Sequence, residues 1–417
     1  MRYLFLILLA VAANGNILAQ TISEKIKLAT AQLSSIDQQR QQLNDQIEFL
    51  KLEKIQDDLS KVGLPVLQSG DALVRHSAIA LAYAEKYEQA RWVAHIIPPD
   101  VLKGTVFRTN DFRVDKKVTT GSAEEADYFF KKLKADSTWA YDAFGYDRGH
   151  LAPSADFRWS KTALSESYYY SNMSPQLAVF NRGAWGDLED AFRAYMYGHP
   201  ATDLYVVTGP ILKDGLPKIE RGKNKVTIPG FYWKVVLDLT NKKAIGFIMP
   251  NQEITKPLHS FAVAINEVEK QTGLDFFNKL PALLQEELES QAKPADWLTA
   301  SSATEVEPLA QETLPRNYFN TTLAKGWMGN NTEITVGGTV VGARLSRAGN
   351  MLINLDRQFP NQVFTVFVKK EDIVNFNYDL AEVLKDKVIF VKGKVLNQGG
   401  TATMYIQSQS DLTILDR

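Results

Sequence analysis

Between residues 20 and 62, apolar side chains recur at spacings of four and three, at Ile22, Ile26, Ala29, Leu33 and Ile36 and again at Leu43, Ile47 and Leu50. With Gln, Asp and Lys between them, this period predicts an amphipathic helix. Arg40 falls on the same seam. Two arrangements fit: a short coiled coil that makes a homodimer through residues 20–62, or one helix packed on its own domain. Gly63 and Pro65 end the run.

From 63 to 291 the periods mix. DLYVVTGPIL (203–212) and GFYWKVVLDL (230–239) are dense in β-branched and aromatic residues and read as buried strands, whereas ALAYAEKYEQARW (80–92) and RGAWGDLEDAFRAYM (182–196) read as helical. Strands so closely spaced leave no room for a crossover helix at every connection, which predicts an α+β domain. Residues 292–328 begin AKPADWLTASSATEVEPLAQETLP and lack sustained periodicity, so they read as an exposed linker. Beyond it, EITVGGTVVGARL, NMLINL, VFTVFVKK, a helical YDLAEVL, KVIFVKGKVL and ATMYIQS follow in order over 329–417. Three strands, a helix and two strands is the order of a five-stranded OB-like β-barrel; an SH3-like or unrelated small barrel is the alternative.

The first residues, MRYLFLILLAVAANGNILAQ, set one positive charge before an apolar run too short to span a bilayer and reach a small residue at Ala19. This is the pattern of a cleaved signal peptide over 1–19 and predicts a secreted or periplasmic protein with no transmembrane segment. The chain has 417 residues, enough for two or three domains. Its 47 basic and 48 acidic residues balance, so a nucleic-acid surface has to be a local basic patch. Without cysteine it has neither disulfides nor a thiolate metal site.

Only five histidines are present, and His150 alone sits in a dense cluster of polar groups: Asp147, Arg148, Asp156, Asn172, Asn181 and Glu189. A neutral imidazole can take a proton from water near pH 7, and an adjacent guanidinium can grip a phosphate oxygen. Together they point to attack on a phosphodiester. The extended pattern YDRGHLAPSADFRWS (146–160), then YYYSNMSPQLAVFNRGAWGDLED (168–190), resembles the DNA/RNA non-specific endonuclease family of the ββα-metal class, with endonuclease G as the most similar branch. ARWVAHIIPP, VTGPIL, KNKVTIPGFYWKV and IMPN fall in family order around it, and the likeness spans His76 to Phe277.

This resemblance implies a ββα-metal nuclease domain over 63–291 that hydrolyses DNA and RNA with Mg²⁺ (or Mn²⁺). It implies His150 as general base, Arg148 beside the scissile phosphate, Asn181 as the side-chain metal ligand, Asn172 shaping the site and Glu189 holding metal-bound water. On one regular helix, Asn181 and Glu189 would be about 12 Å apart along the axis, too far to share one ion directly. Segment 129–144 is longer than the family pattern. Lys131, Lys132 and Lys134 within it, and Lys223 and Lys225 further on, are candidate substrate-backbone contacts or simply solvated charge. An inhibitor protein is a further candidate partner. The complete set Arg148, His150, Asn172, Asn181 and Glu189 favours an enzyme over a catalytically silent nucleic-acid-binding protein on the same fold, or over a protein-interaction module acting through the barrel.

Overall fold

The computed structural model describes residues 21–106, 108–128, 131–141, 146–298, 305–398 and 401–415. The expected signal peptide, 1–19, lies outside the described residues, as do the side chains of Lys131 and Lys132. The chain divides into a unit that ends at Lys54 and a unit Ile55–Arg417. Helix α1 (Ile22–Val62) belongs to both. In the first unit it is a solvated rod whose Ile22, Ile36 and Ile47 are 79%, 59% and 50% exposed. In the second, Ile55, Leu59 and Val62 are buried in a core with Ala80, Ala82, Trp92 and Ala94. The helical segment therefore does not end its separate existence at 62: its last two turns are part of the next domain.

After α1 come β1 (Asp71–Arg75), β2 (Ile79–Ala84) and β3 (Gln89–Ile97). The helix expected over 80–92 is absent; two strands and a 3₁₀ turn at Glu85–Tyr87 occupy it. Both faces of β2 are covered, so the strand has no polar side whose period could be read. The chain then forms β4 (Tyr146–His150) and β5 (Met173–Leu177), a short helix α2 (Ala178–Asn181) and helix α3 (Ala184–Gly198). It returns through β6 (Leu204–Pro210), β7 (Phe231–Asp238), β8 (Lys243–Pro250) and β9 (Ala262–Val263).

The central sheet runs β1-β2-β3-β6-β7-β8-β9 and every pairing is antiparallel. Strand alternation gives it two different faces. Trp92, Ala94, Tyr205, Val207, Trp233 and Val235 point into the core shared with the end of α1 and with the helices Ile265–Thr272 and Ala282–Glu289. The intervening residues His95, Thr208, Lys234 and Asp238 are buried and polar. On that face His95 bonds Asp156 and Tyr195 of α3 bonds Asp238, beside the aromatic contacts of Phe180 and Trp185 with Tyr232, while Lys234 donates to Thr208 within the sheet.

Segment 292–328 is not a free linker. Trp297 is buried and stacks on Tyr195 of α3 at 4.8 Å. β10 (Tyr318–Asn320) pairs in parallel with the long strand β11 (Glu333–Leu345), and Thr321 donates to buried Asp356. Composition suggested solvent exposure, but a few large or charged side chains dock the segment. The remaining strands are β12 (Met351–Leu355), β13 (Phe364–Val368), β14 (Val388–Gln398), β15 (Thr401–Tyr405) and β16 (Leu412–Leu415), with a short helix, Leu380–Val383, between β13 and β14. Their pairings run β11-β12-β13-β15-β14 and back to β11, whose first half pairs β14 and whose second half pairs β12. Inside that circuit lie Val336, Ile353, Val366, Ile389 and Met404. Phe364 and Phe376 also join this core.

Candidate active site

The site begins with the β4–β5 ribbon, where His150 is the last residue of β4 and lies opposite Met173. A glycine is required just before it. A Cβ at Gly149 would sit 2.0 Å from the Gln176 side chain that crosses the ribbon there. Beyond His150, the chain is fixed by Asn172. Its Oδ1 accepts from the Ala152 amide at 2.9 Å, and its Nδ2 donates to the Ala152 and Ser167 carbonyls at 2.9 and 2.8 Å. Asn172 is thus buried with its polar atoms already engaged, and it does not line the cavity described next. Expected to shape the site, it holds the Ala152 segment that follows His150.

A cavity of about 750 Å³ opens in front of His150. Asp147, Arg148, Asn181 and Glu189 line it too, so five residues singled out in the sequence meet here. The His150 ring meets Tyr168 edge-on at 5.0 Å and Phe112 at 5.6 Å, and its Nε2 has no hydrogen-bond partner among the described residues. Burial first, and then the charges of Arg108 and Arg148, hold the imidazole well below its ordinary pKa. It is neutral at pH 7 and ready to accept a proton. Arg148 places its guanidinium carbon 3.6 Å from the centre of the Phe112 ring, and its Nη1 lies 3.5 Å from the Tyr170 hydroxyl and 4.0 Å from Glu125.

Asn181 ends α2 and donates from Nδ2 to Asp147 at 2.9 Å. Arg182 grips the same carboxylate with two hydrogen bonds of 2.8 and 2.7 Å. Asp147 therefore fixes the rotamer of Asn181, and its amide oxygen has no hydrogen-bond partner among the described residues. Asn181 and Glu189 do not share one regular helix: the chain breaks at Gly183, which caps α3. A side chain there would collide with the Val179 carbonyl, its Cβ at 2.5 Å, so the break depends on glycine.

Glu189 projects from α3 into a charged cluster that sequence reasoning missed. Arg193, four residues on, bridges Asp156 and Asp190, and Asp156 also accepts from His95 at 2.9 Å. Burial pushes the Glu189 carboxyl up to about 7, against the pull of Lys234 and Arg193. A carboxyl raised in the folded state binds protons that the unfolded chain has lost. Its contribution to stability is complete below the ordinary value of 4.5 and is lost as pH rises through about 7. Glu189→Gln, which stays neutral, should therefore gain in melting temperature relative to the parent between pH 5 and pH 8 in EDTA, and parallel melting curves across that range would contradict the assignment.

Lys223 and Lys225, expected to bind substrate, do not line the cavity. Both are exposed, and Lys225 pairs with Glu220 at 3.3 Å. In their place the cavity carries Arg108, Arg158 and Arg193, and from the far side Lys325, Met328 and Asn330. Arg158 lies within YDRGHLAPSADFRWS and Arg193 within RGAWGDLEDAFRAYM, but no motif marks Arg108, Lys325, Met328 or Asn330; tertiary packing brings those in.

The sequence has relatives among known proteins. A family model described as DNA/RNA non-specific endonuclease matches residues 55–283, starting where α1 enters the core. Human mitochondrial endonuclease G is 32% identical over 240 residues, which cover 52% of this chain and 73% of that protein. Nuclease C1 of Cunninghamella echinulata var. echinulata is 34% identical over 236 residues, with 52% and 88% covered. A solved structure of an EndoG/EndoGI complex aligns at 29% identity over 55% of this chain and 93% of the other, with a TM-score of 0.46. With more than half its length matched and His150, Arg148 and Asn181 gathered on one cavity, the chain belongs to the DNA/RNA non-specific endonuclease family and is a nuclease.

Proposed function

We propose that this nuclease is a secreted or periplasmic, metal-dependent enzyme that hydrolyses phosphodiester bonds in DNA and RNA with His150 as general base. The observation that carries this reading is the neutral His150 imidazole beside Arg148 on a cavity large enough for a nucleotide. His150 takes the proton of the attacking water, and Arg148 holds a non-bridging phosphate oxygen and stabilises its growing charge. Among the described residues no group of three His, Asp or Glu is placed to hold a metal ion. The residues fit a hydrated ion instead: the Asn181 amide oxygen is available, and Glu189 lies on the same cavity to accept from water. Mg²⁺, or Mn²⁺ in its place, would supply positive charge opposite the phosphate and the leaving oxygen.

Incubation of the mature chain with supercoiled plasmid and with RNA, in Mg²⁺ or in EDTA, tests the reading directly. Cleavage of both polymers that stops in EDTA is expected. Cleavage that continues undiminished in EDTA would remove the metal from the mechanism, and the same digest on periplasmic and culture-fluid fractions tests the location.

Two further assignments accompany it. The five-strand circuit of β11 to β15, with a helix between its third and fourth members in chain order, reads as an OB-like barrel. The exposed apolar seam at Ile22, Ile26, Leu33, Ile36, Leu43 and Ile47 reads as a dimerising coiled coil. Deleting residues 20–50 should halve the mass seen by light scattering and leave cleavage intact; an unchanged mass would leave α1 a single helix. A deletion through 62 is the wrong test, because it would strip Ile55, Leu59 and Val62 from the core.

A further inference from the structure

The wall of the cavity that faces His150 does not come from the nuclease domain. Gly326, Met328, Gly329 and Asn330, which precede β11, and Asn397 of β14 line the same space. The segment is anchored firmly. Lys325 is 9% exposed, and its ammonium meets Asp187 at 2.8 Å and Asp190 at 3.5 Å, both on α3. Gly326 passes so close to Arg182 that a Cβ there would come within 3.2 Å of the guanidinium. The Gly329 amide donates to the Val395 carbonyl, which ties the loop to β14. A second contact, Tyr197 of α3 edge-on to Phe359 at 4.8 Å, holds the two bodies together elsewhere.

The two walls differ in chemistry. The nuclease side offers Arg108, Arg148 and Arg158, suited to phosphate. The opposite side offers a thioether and amides. Asn330 spends its side-chain oxygen on Thr332, leaving its NH₂ group to donate to a base edge. The opposing wall restricts the occupant further: in a duplex the Watson–Crick edges are turned toward the complementary strand, whereas an unpaired strand can present them to Asn330 while its phosphate faces the arginines. We propose that the segment Lys325–Asn330, with Asn397, makes this cleft a single-strand channel, in which the phosphate lies against Arg148 and His150 and the bases turn toward Met328 and Asn330. Lys325 is the positioning residue that keeps the channel narrow. The inference rests on the assignment of His150 and Arg148 to the phosphate.

The test uses the full chain and one fluorescein-labelled oligonucleotide, alone or annealed to its complement. In Mg²⁺ the single strand should be cleaved about tenfold or more faster in kcat/KM than the duplex. Lys325→Ala should bring that ratio toward one by a gain on the duplex, and Lys325→Arg should keep it. Asn330→Ala should raise KM for the single strand more than it lowers kcat, a readout that survives if Lys325→Ala misfolds. Fluorescence anisotropy with His150→Ala separates the two ideas. Tighter binding of the single strand without cleavage by the parent would sink the catalytic reading and keep the channel. Equal binding and equal cleavage of both forms, or an unchanged ratio in folded Lys325→Ala, would overturn the channel.

Discussion

His150→Ala should lower kcat on plasmid by about 10²–10⁴, the usual cost of losing a positioned base, while the protein melts close to its parent temperature. The first half follows from the other histidines. His76 is spent on Asp115 at 2.8 Å and stacks on Tyr169; His95 is spent on Asp156; His199 stacks on Tyr195 at 3.8 Å; none of them, nor His259, lines the cavity. No second imidazole lines the cavity to take its place. The second half follows from bonding: His150 Nε2 has no partner, so its removal strands no buried donor or acceptor. Initial rates and a melting curve on the same preparation check both halves, and a variant that cleaves within twofold of the parent refutes the assignment. A pH profile adds direction. Because burial, Arg108 and Arg148 hold the imidazole well below 6.5, parent activity should stay level as pH falls through 6.5 and fail only in more acid solution. Arg108→Gln, by removing one of the two charges, should move that acid limb upward.

Much of the site was legible because β4, β5, α2 and α3 follow one another between residues 146 and 198, so local order already groups His150, Arg148, Asn181 and Glu189. What was not legible came from a distance. Arg108 precedes the motif and Lys325 follows it by well over a hundred residues, and neither belongs to a pattern that periodicity can detect. Lys223 and Lys225 misled for the opposite reason: a run of charge along the chain says nothing about which surface it faces. The fold shows the same division. GFYWKVVLDL was readable as a strand because its β-branched and aromatic residues are dense. ALAYAEKYEQARW was not, because alanines at nearly every other position satisfy helical and strand spacing alike, and only the sheet neighbours β1 and β3 decide between them. In 292–328, a polar composition hid Trp297 and Lys325, two side chains whose burial turns a supposed linker into a docked segment.

Asn172→Ala should damage both stability and turnover, and the way it does so distinguishes a positioning residue from a catalytic one. The substitution leaves the Ala152 amide without its side-chain acceptor and takes one donor from each of the Ala152 and Ser167 carbonyls, all in a buried setting. At about 1–3 kcal/mol for each buried group left unpaired, the urea midpoint should fall well below that of the parent. Asn172→Asp should fare no better, since a carboxylate can still accept from Ala152 but cannot donate to either carbonyl. Turnover should fall because the segment held is the one leaving His150: Leu151 donates to the Asn172 carbonyl at 2.9 Å, and Ala152 follows it. Once this clamp loosens, the imidazole no longer sits at a fixed distance from the phosphate, and misplacement of about 1 Å can cost on the order of a hundredfold. The comparison that decides is kcat measured at low temperature, where both variants are folded, beside the pH profile. A reduced kcat with the parental acid limb means that Asn172 acts through the placement of His150. A full kcat in a protein that merely melts earlier would make it a packing residue with no hold on the chemistry, and a shifted acid limb would mean that Asn172 also sets the surroundings that keep His150 neutral.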